Sequence, residues 1–530
     1  MDRRALVRLA SATAATLWLA RSSWSQARFS TDPFSLGVAS GSPQSDSVVL
    51  WTRLAGGTRG GDAPSAPDQT VRWEIADDEQ FKHIVRQGQV IAPALLAHSV
   101  HAEVDGLAPD RWYFYRFMTA DAVSAVGRTR TLPLPQASVS SLRLGYASCQ
   151  KWEDGFFSAW RHLRDEQVDM VVFLGDYLYE YPGTSSRVRV PGGGWMVSLD
   201  DYRRRYALYK SDPDLQAMHQ HCPWLLVWDD HEVQNDYAGL QAGDSGPRDP
   251  AKPADFAQRR AMAYQAYYEH MPLRASVLER ALTGSGAAAL RIHQRLQFGR
   301  LVCLHLLDDR QYRDPQVCTR GGRLGSSTVN PTQCAQWDDP QRSLLGQAQE
   351  RWLDASLSGP ETSQSRWNVL AQQTVFGKRD FKIGPGESLS NDGWDGYGAA
   401  RRRLTDQLRR HAVPNPVLLG GDIHANWVGH VQSDYSKPHS QTIGVEFCGT
   451  SITSHGAAPA LDQTAQRLAE NPHFVFADGQ RRGYGVAAFS ADRLTTTLRA
   501  VDDVARRDSG VSTLASFSVP NGHPRIERVL

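Results

Sequence analysis

Long apolar runs are almost absent from this chain. Beyond Leu9 to Ala20, itself too short to cross a bilayer, no stretch is apolar for long enough to be a membrane span. A bundle of membrane-spanning helices is thereby excluded. An excess of one charge is also missing, with 58 Lys and Arg against 57 Asp and Glu, which leaves no basic footprint for nucleic acid. Cysteine is scarce: six in 530 residues do not make a disulfide scaffold. No internal repeat and no long low-complexity tract is evident, so repeat arrays are set aside. What remains is ordinary globular material, 41% hydrophobic and 22% charged, with length enough for two domains and a sizeable core.

Residues 1–27 read as a targeting segment, to be removed before any reasoning about the fold. Asp2-Arg3-Arg4-Ala5-Leu6-Val7-Arg8 resembles the twin-arginine export signature; Leu9 to Ala20 supplies the apolar region, and Ser25-Gln26-Ala27 offers small residues to a signal peptidase. Cleavage after Ala27 is expected, leaving no stable membrane span; the competing reading is an uncleaved anchor. The implied partner is the twin-arginine export machinery, and the implied location is periplasmic or secreted. In such an oxidising compartment Cys318 and Cys334, which flank a Gly/Ser/Thr/Pro-rich loop, are the best candidates for a bridge. Cys222, Cys303 and Cys448 lie in or beside apolar runs and read as buried small hydrophobes.

Residues 28–136 read as a small all-β domain. Short β-rich runs at Ser47 to Leu54, Thr70 to Ile75 and Ser99 to Val104 are separated by Gly-, Pro- and Asp-rich clusters. Leu107-Ala108-Pro109 leading to Trp112-Tyr113-Phe114-Tyr115 resembles the tyrosine corner of fibronectin-type and immunoglobulin-like sandwiches. Nothing there assembles acids, bases or metal ligands, so an accessory role is expected. Residues 137–530 change to apolar strands separated by helical stretches, the α/β pattern.

The informative residues follow the apolar strands. Leu142 to Tyr146 runs into Ala147-Ser148-Cys149-Gln150, Met170 to Leu174 into Gly175-Asp176-Tyr177, Trp224 to Trp228 into Asp229-Asp230-His231-Glu232, and Val417 to Leu419 into Gly420-Gly421-Asp422-Ile423-His424. In open α/β sheets the ligand site lies at the carboxyl ends of the strands. Four exits bearing Cys, Asp, Asp-His and Asp-x-His therefore converge on one metal site.

The ordered set, Ser148-Cys149-Gln150, Gly175-Asp176-Tyr177-Leu178-Tyr179-Glu180-Tyr181, Trp228 to Asp236 and Gly421 to Asn426, resembles the calcineurin-like metallophosphoesterases and, within them, the PhoD-type alkaline phosphatases. The resemblance implies a sandwich of sheets flanked by helices, preceded by the β-domain. Three departures from the wider superfamily resemble that subgroup: Cys149-Gln150 in place of Asp-x-His, Asp229-Asp230-His231 in place of Gly-Asn-His, and Asp422 where His is common. A further histidine that many relatives bring from the preceding strand is replaced by Gln372 and Gln373.

The chemistry of the residues agrees. A thiolate and a phenolate on one ion favour a strongly Lewis-acidic, redox-capable metal such as ferric iron, so Cys149 and Tyr179, joined by Asp176 and His424, form the expected iron side. Asp176 can bridge two ions through its two oxygens. Asp422 and the Asn235 amide offer oxygen to a harder second ion, which the resemblance implies is calcium. His231 is the candidate to protonate the leaving oxygen or hold the phosphate, with Asp230 beside it as catalytic partner, additional ligand or orienter. His219-Gln220-His221-Cys222 precedes its strand and reads as structural. Asp309 with Arg310 reads equally as support for the ligands, as a phosphate contact or as an ordinary ion pair. Asn391 to Tyr397 reads as a substrate wall or as a turn before the Ala399 to Arg410 helix, and Arg401 to Arg403 as a solvated helix face. The stretches Pro182 to Trp195 and Asp236 to Phe256 read as lids or ordinary surface.

The expected function is hydrolysis of small-molecule phosphate mono- or diesters by attack of a metal-bound hydroxide. The alternatives are a phospholipase D-like diesterase and, from another class, a cell-surface binding protein whose metal site is only structural.

Overall fold

A computed structural model describes residue 29 and residues 31–55, 67–183, 188–243, 253–278, 290–322, 324–437, 440–456 and 458–530. The expected targeting segment lies outside these residues, as do parts of the two stretches read as lids.

Two large sheets face each other. The first has ten strands in the order Glu527–Arg528, Val511–Pro520, Arg493–Val501, Arg482–Ser490, Ser141–Ala147, Met170–Leu174, Trp224–Val227, Val38–Gly41, Val48–Arg53 and Ser99–Val104. The second has seven, in the order Gln294–Phe298, Val302–Leu306, Trp367–Ala371, Pro416–Gly420, Thr442–Cys448, Asn426–Gln432 and Phe474–Asp478. Ser141–Ala147, Met170–Leu174 and Trp224–Val227 are mutually parallel, and so are Val302–Leu306, Trp367–Ala371, Pro416–Gly420 and Thr442–Cys448. The chemistry-bearing motifs follow the carboxyl ends of these parallel strands.

The side chains of a strand alternate between faces, and Pro416–Gly420 shows what that does here. Val417 and Leu419 join the core between the sheets, packed with Leu144, Val172 and Trp367. Leu418 points the other way, into a core shared with Leu353 and Leu357 of the helix Gly346–Leu357 and Leu404 and Leu408 of the helix Gly398–Arg410. Such two-sided burial is why these strands read as continuous apolar runs instead of alternating ones.

The short crossover helix Ser158–Asp165 buries Ala159, Trp160 and Leu163. Trp160 packs 4.9 Å from the Trp224 ring and 5.9 Å from the Phe173 ring, and its indole N–H donates to Gln150 Oε1 at 2.8 Å. Gln150 in turn donates to the carbonyl of Tyr177 at 3.0 Å. Core packing and strand-exit geometry are thus tied through one side chain. Losing Trp160 to alanine would cost about 3–5 kcal/mol.

The amino-terminal sandwich is present, with one difference from a free-standing domain: only one of its two layers is its own. Ile84–Ala92, Gln69–Ala76, Trp112–Thr119, Ala122–Val123 and Gly127–Arg130 make that layer. The facing layer, Val38–Gly41, Val48–Arg53 and Ser99–Val104, continues the ten-stranded sheet, since Gly41 pairs in parallel with Trp224. The two layers close over Leu50, Val71, Ile75, Val100 and Tyr115. The expected tyrosine corner is formed, with Tyr113 Oη accepting the Ala108 N–H at 2.9 Å.

Cys318 and Cys334 are joined in a disulfide with a Cα–Cα distance of 6.0 Å, and Cys222, Cys303 and Cys448 are buried thiols. Among the described residues no helix is long and apolar enough to cross a membrane.

Candidate metal centre

Three of the four expected ligand loops turn sharply as they leave their strands. Cys149, Asp176, Asp422 and His424 have left-handed φ values of 59°, 58°, 65° and 52°. That conformation costs a side-chain-bearing residue about 1–2 kcal/mol, and it persists where the surroundings over-determine it, as at functional sites. Gly175, at φ 101°, is required by a close approach as well: a Cβ there would stand 2.5 Å from Asp229 Cβ and 2.6 Å from Asp229 N. The loops hold one another. Cys149 N–H donates to the Gly175 carbonyl at 3.0 Å and Gln150 N–H to the Asp176 carbonyl at 3.1 Å. Glu232 accepts the N–H groups of Asp176, Tyr177 and Asp229.

Two ligand groups result, and Asp176 belongs to both. Ligand atoms of Cys149, Asp176 and His424 lie within 4.8 Å of one another, as do those of Asp176, Asp230 and His231. Tyr179 joins the first group, its hydroxyl 2.9 Å from Asp176 Oδ2 and 3.1 Å from His424 Nε2. Ser454 Oγ donates to the same phenol oxygen at 2.7 Å. The Nδ1–H of His424 donates to the His455 carbonyl at 2.9 Å, which leaves Nε2 as the lone-pair nitrogen facing the group. Burial brings the His424 pKa down to about 3, so its imidazole is neutral and able to ligate.

In the second group His231 Nδ1 is 2.7 Å from Glu180 Oε2, and Glu180 Oε1 accepts the Asn235 N–H at 2.8 Å. Asn235 is therefore held at the site through its backbone. Asp422 Oδ2 accepts from Thr374 Oγ1 at 2.6 Å, and its charge is felt by Cys149, Asp176 and Asp229. Arg310, fully buried, forms ion pairs with Asp229, Asp230 and Asp392.

The residues fit cations on three counts. Buried oxygens of Asp229 (Oδ2) and Asp230 (Oδ1) have no protein partner, a costly state unless an ion occupies them. Tyr179 has one proton for two acceptors, Asp176 and His424, a conflict that a positive charge on the phenol oxygen removes. Burial and neighbouring carboxylates raise the pKa values of Asp176 and Asp229 well above the usual carboxylate range, and burial with the Asp176 charge pushes the Cys149 thiol up; a cation would reverse each shift. Burial disfavours the His231 cation, yet the charges of Asp176, Glu180 and Asp230 outweigh it and raise its pKa well above normal. Glu180 is correspondingly lowered, as expected for an ion pair.

Cys149, Asp176, Tyr179, Asp230, His231 and His424 thus meet in one place, with Asp422 and Asn235 at its edge. His219 lies in the core, Nε2 facing Tyr177 Oη at 2.8 Å and Lys210 Nζ at 3.2 Å. Gln373 is a strut: its amide donates to the carbonyls of Trp228 and Leu307 and accepts the Asp309 N–H. Arg401 is a correction to the solvated-face reading. It is buried and paired with Asp395 at 2.6 Å, because that helix packs its first turn against the Trp394 to Tyr397 turn. Glu180, Glu232, Thr374 and Ser454 received no role from the sequence. Glu180 and Glu232 sat inside motifs already singled out, whereas Thr374 and Ser454 carried no signal.

Two facing sheets with acids, histidines and a thiol gathered at the carboxyl ends of their parallel strands define the calcineurin-like metallophosphoesterase fold. A purple acid phosphatase, PPD1 from yellow lupin (Lupinus luteus) seeds, shares that fold at TM-score 0.53 and 12% identity, over 91% of this chain and 74% of that one. Within the fold, this chain belongs to the PhoD-like phosphatase family, whose model matches residues 144–498 and whose N-terminal domain model matches residues 19–133. Alkaline phosphatase D of Bacillus subtilis (strain 168) is 41% identical over 495 residues, 92% of this chain and 81% of the relative. A solved structure of PhoD superposes at TM-score 0.85 with 40% identity, covering 95% of this chain and 93% of that one.

Proposed function

We propose that this chain is an exported, metal-dependent phosphoesterase acting on phosphate mono- and diesters, with iron held by Cys149, Asp176, Tyr179 and His424 and calcium by Asp176, Asp230, Asp422 and Asn235. The observation that carries the reading is the sharing of Asp176 between two ligand groups. Thiolate and phenolate donors suit a ferric ion, and carboxylate and amide oxygens suit calcium. Bound there, the cations supply Lewis acidity and lower the pKa of water to near neutrality. Asp230 acts through its unpartnered oxygen as a ligand, a more specific role than catalytic partner. His231, oriented by Glu180 through Nδ1, presents its other ring nitrogen to hold the proton that goes to the leaving oxygen. The Cys318–Cys334 bridge supports an oxidising destination, the periplasm or exterior, reached by the twin-arginine route.

The test is metal analysis of natively exported protein together with turnover of nitrophenyl phosphate, bis-nitrophenyl phosphate and a phospholipid from neutral to alkaline pH. Hydrolysis of the first two with iron and calcium bound is expected. Turnover confined to the phospholipid would replace the reading with the phospholipase one; no iron and no turnover would end it.

A further inference from the structure

Lys151 follows Cys149 by two residues and is half-buried beside the centre. Its ammonium nitrogen lies 5.4 Å from the centroid of the Tyr179 ring, whose hydroxyl is in the first ligand group, and 5.2 Å from the centroid of the Tyr181 ring. Cation–aromatic attraction of this kind fixes a lysine head without consuming its N–H donors. The backbone beneath is fixed too: the Lys151 carbonyl accepts from Thr453 Oγ1 at 2.7 Å, and the next N–H donates to Tyr209 Oη at 2.9 Å. Among the described residues no carboxylate stands within ion-pair distance of Lys151, although its charge reaches Glu153 and Asp154 through space. Asp154 is engaged by His455 through both Nδ1, at 2.9 Å, and the backbone N–H, at 3.0 Å, and Glu153 is buried. Tyr181, half-buried, meets His231 at 5.3 Å and Trp195 at 5.4 Å, both edge to face, and so makes a wall that continues outward from His231. An ammonium with its three N–H donors uncommitted thus lies over the two rings that adjoin His231 and the first ligand group.

We propose that Lys151, seated on Tyr179 and Tyr181, is a second anion-binding subsite, which selects phosphate esters whose alcohol portion carries a further negative group, a carboxylate or a second phosphate. The inference rests on the phosphoesterase reading for where the first phosphate sits. A lysine suits the task because its compact charge accepts either anion without demanding the planar match that arginine makes.

Two pairs of compounds test it. Glycerol phosphate and phosphoglycerate differ by one distal carboxylate; propylphosphonate and phosphonopropionate are their non-hydrolysable counterparts. In the metal-loaded wild type, kcat/KM should favour phosphoglycerate over glycerol phosphate, and calorimetric titration should favour phosphonopropionate over propylphosphonate. Lys151→Gln should collapse both ratios by about tenfold, the scale of one charge-assisted contact, and Lys151→Arg should retain most of both. Ratios that stay the same in Lys151→Gln, with both members of each pair weakened equally, would show that Lys151 acts only on the shared phosphate and would overturn the subsite. A wild type that hydrolyses neither ester but binds the phosphonates with a charge preference lost in Lys151→Gln would sink the phosphoesterase reading and leave the subsite standing.

Discussion

The hydroxyl of Tyr179 stands 3.1 Å from Nε2 of His424, joining positions 245 residues apart in the chain. One belongs to a loop of the first sheet and the other to a loop of the second, so this contact is where the two halves of the centre meet. Tyr179→Phe removes the phenol oxygen and leaves Asp176, Cys149 and His424 in place. Metal affinity should fall by about tenfold or more, and any visible absorption from a ferric phenolate should vanish. Spectra and metal content of the purified variant check this. An unchanged visible band would remove Tyr179 from the ligand set.

Glu180 offers a different kind of test, since it touches His231 and Asn235 and belongs to neither ligand group. In Glu180→Ala the His231 ring and the Asn235 N–H both lose their buried acceptor, which should destabilise the fold by about 1–3 kcal/mol. Turnover should fall through kcat while iron content is kept, because the first ligand group is untouched. Loss of iron along with activity would mean that Glu180 supports the whole centre, not the His231 side alone.

Glu446 predicts a pH effect at a distance from the ligands. Its carboxylate accepts the Phe376 and Gly377 N–H groups inside the protein, and burial raises its pKa from 4.5 to about 7. The folded state therefore holds a proton that the unfolded chain has released. Stability attributable to this group is greatest below the unfolded value and declines as pH rises from 4.5 to about 7, at no more than about 1.4 kcal/mol per pH unit. Denaturation midpoints of the wild type and Glu446→Gln across that window should diverge as pH rises, the wild type losing more. Parallel curves would place the Glu446 pKa near its ordinary value.

The legible part of this protein was whatever repeats a local rule. The parallel strands announced themselves as apolar runs because both faces are buried, and their exits were marked by Cys149, Asp176, Asp230 and Asp422 in a fixed order. Tyr113 gave away the sandwich because its corner is made within a few residues. Partners set by tertiary approach were not legible. Ser454 reaches Tyr179 across 275 residues, and Thr374 reaches Asp422 across 48, with no local pattern pointing to either. The sharing of one sheet between the amino-terminal region and the centre was hidden for the same reason: the Gly41–Trp224 pairing involves two strands whose own sequences say nothing about each other. Arg401 misled because a run of three arginines usually marks a wet helix face, and here one of them turns inward to Asp395.

Arg310 couples the electrostatics of the centre to its metal. Buried among Asp229, Asp230 and Asp392, it is the fixed positive charge that lets those carboxylates coexist before any cation binds. Arg310→Met keeps the volume and removes the charge, leaving buried carboxylates uncompensated, a change that costs about 3–5 kcal/mol. A bound cation acts on the same carboxylates, since Asp229 and Asp230 each have an oxygen without a protein partner. The variant should therefore depend on metal more than the wild type does: its thermal midpoint should drop steeply in chelator and recover a larger share of the loss when calcium and iron are restored. Midpoints measured for both proteins with chelator and with metal decide the matter. A drop in Arg310→Met that is equal in the two conditions would mean that Arg310 stabilises the loop through Asp392 alone and has no electrostatic link to the centre.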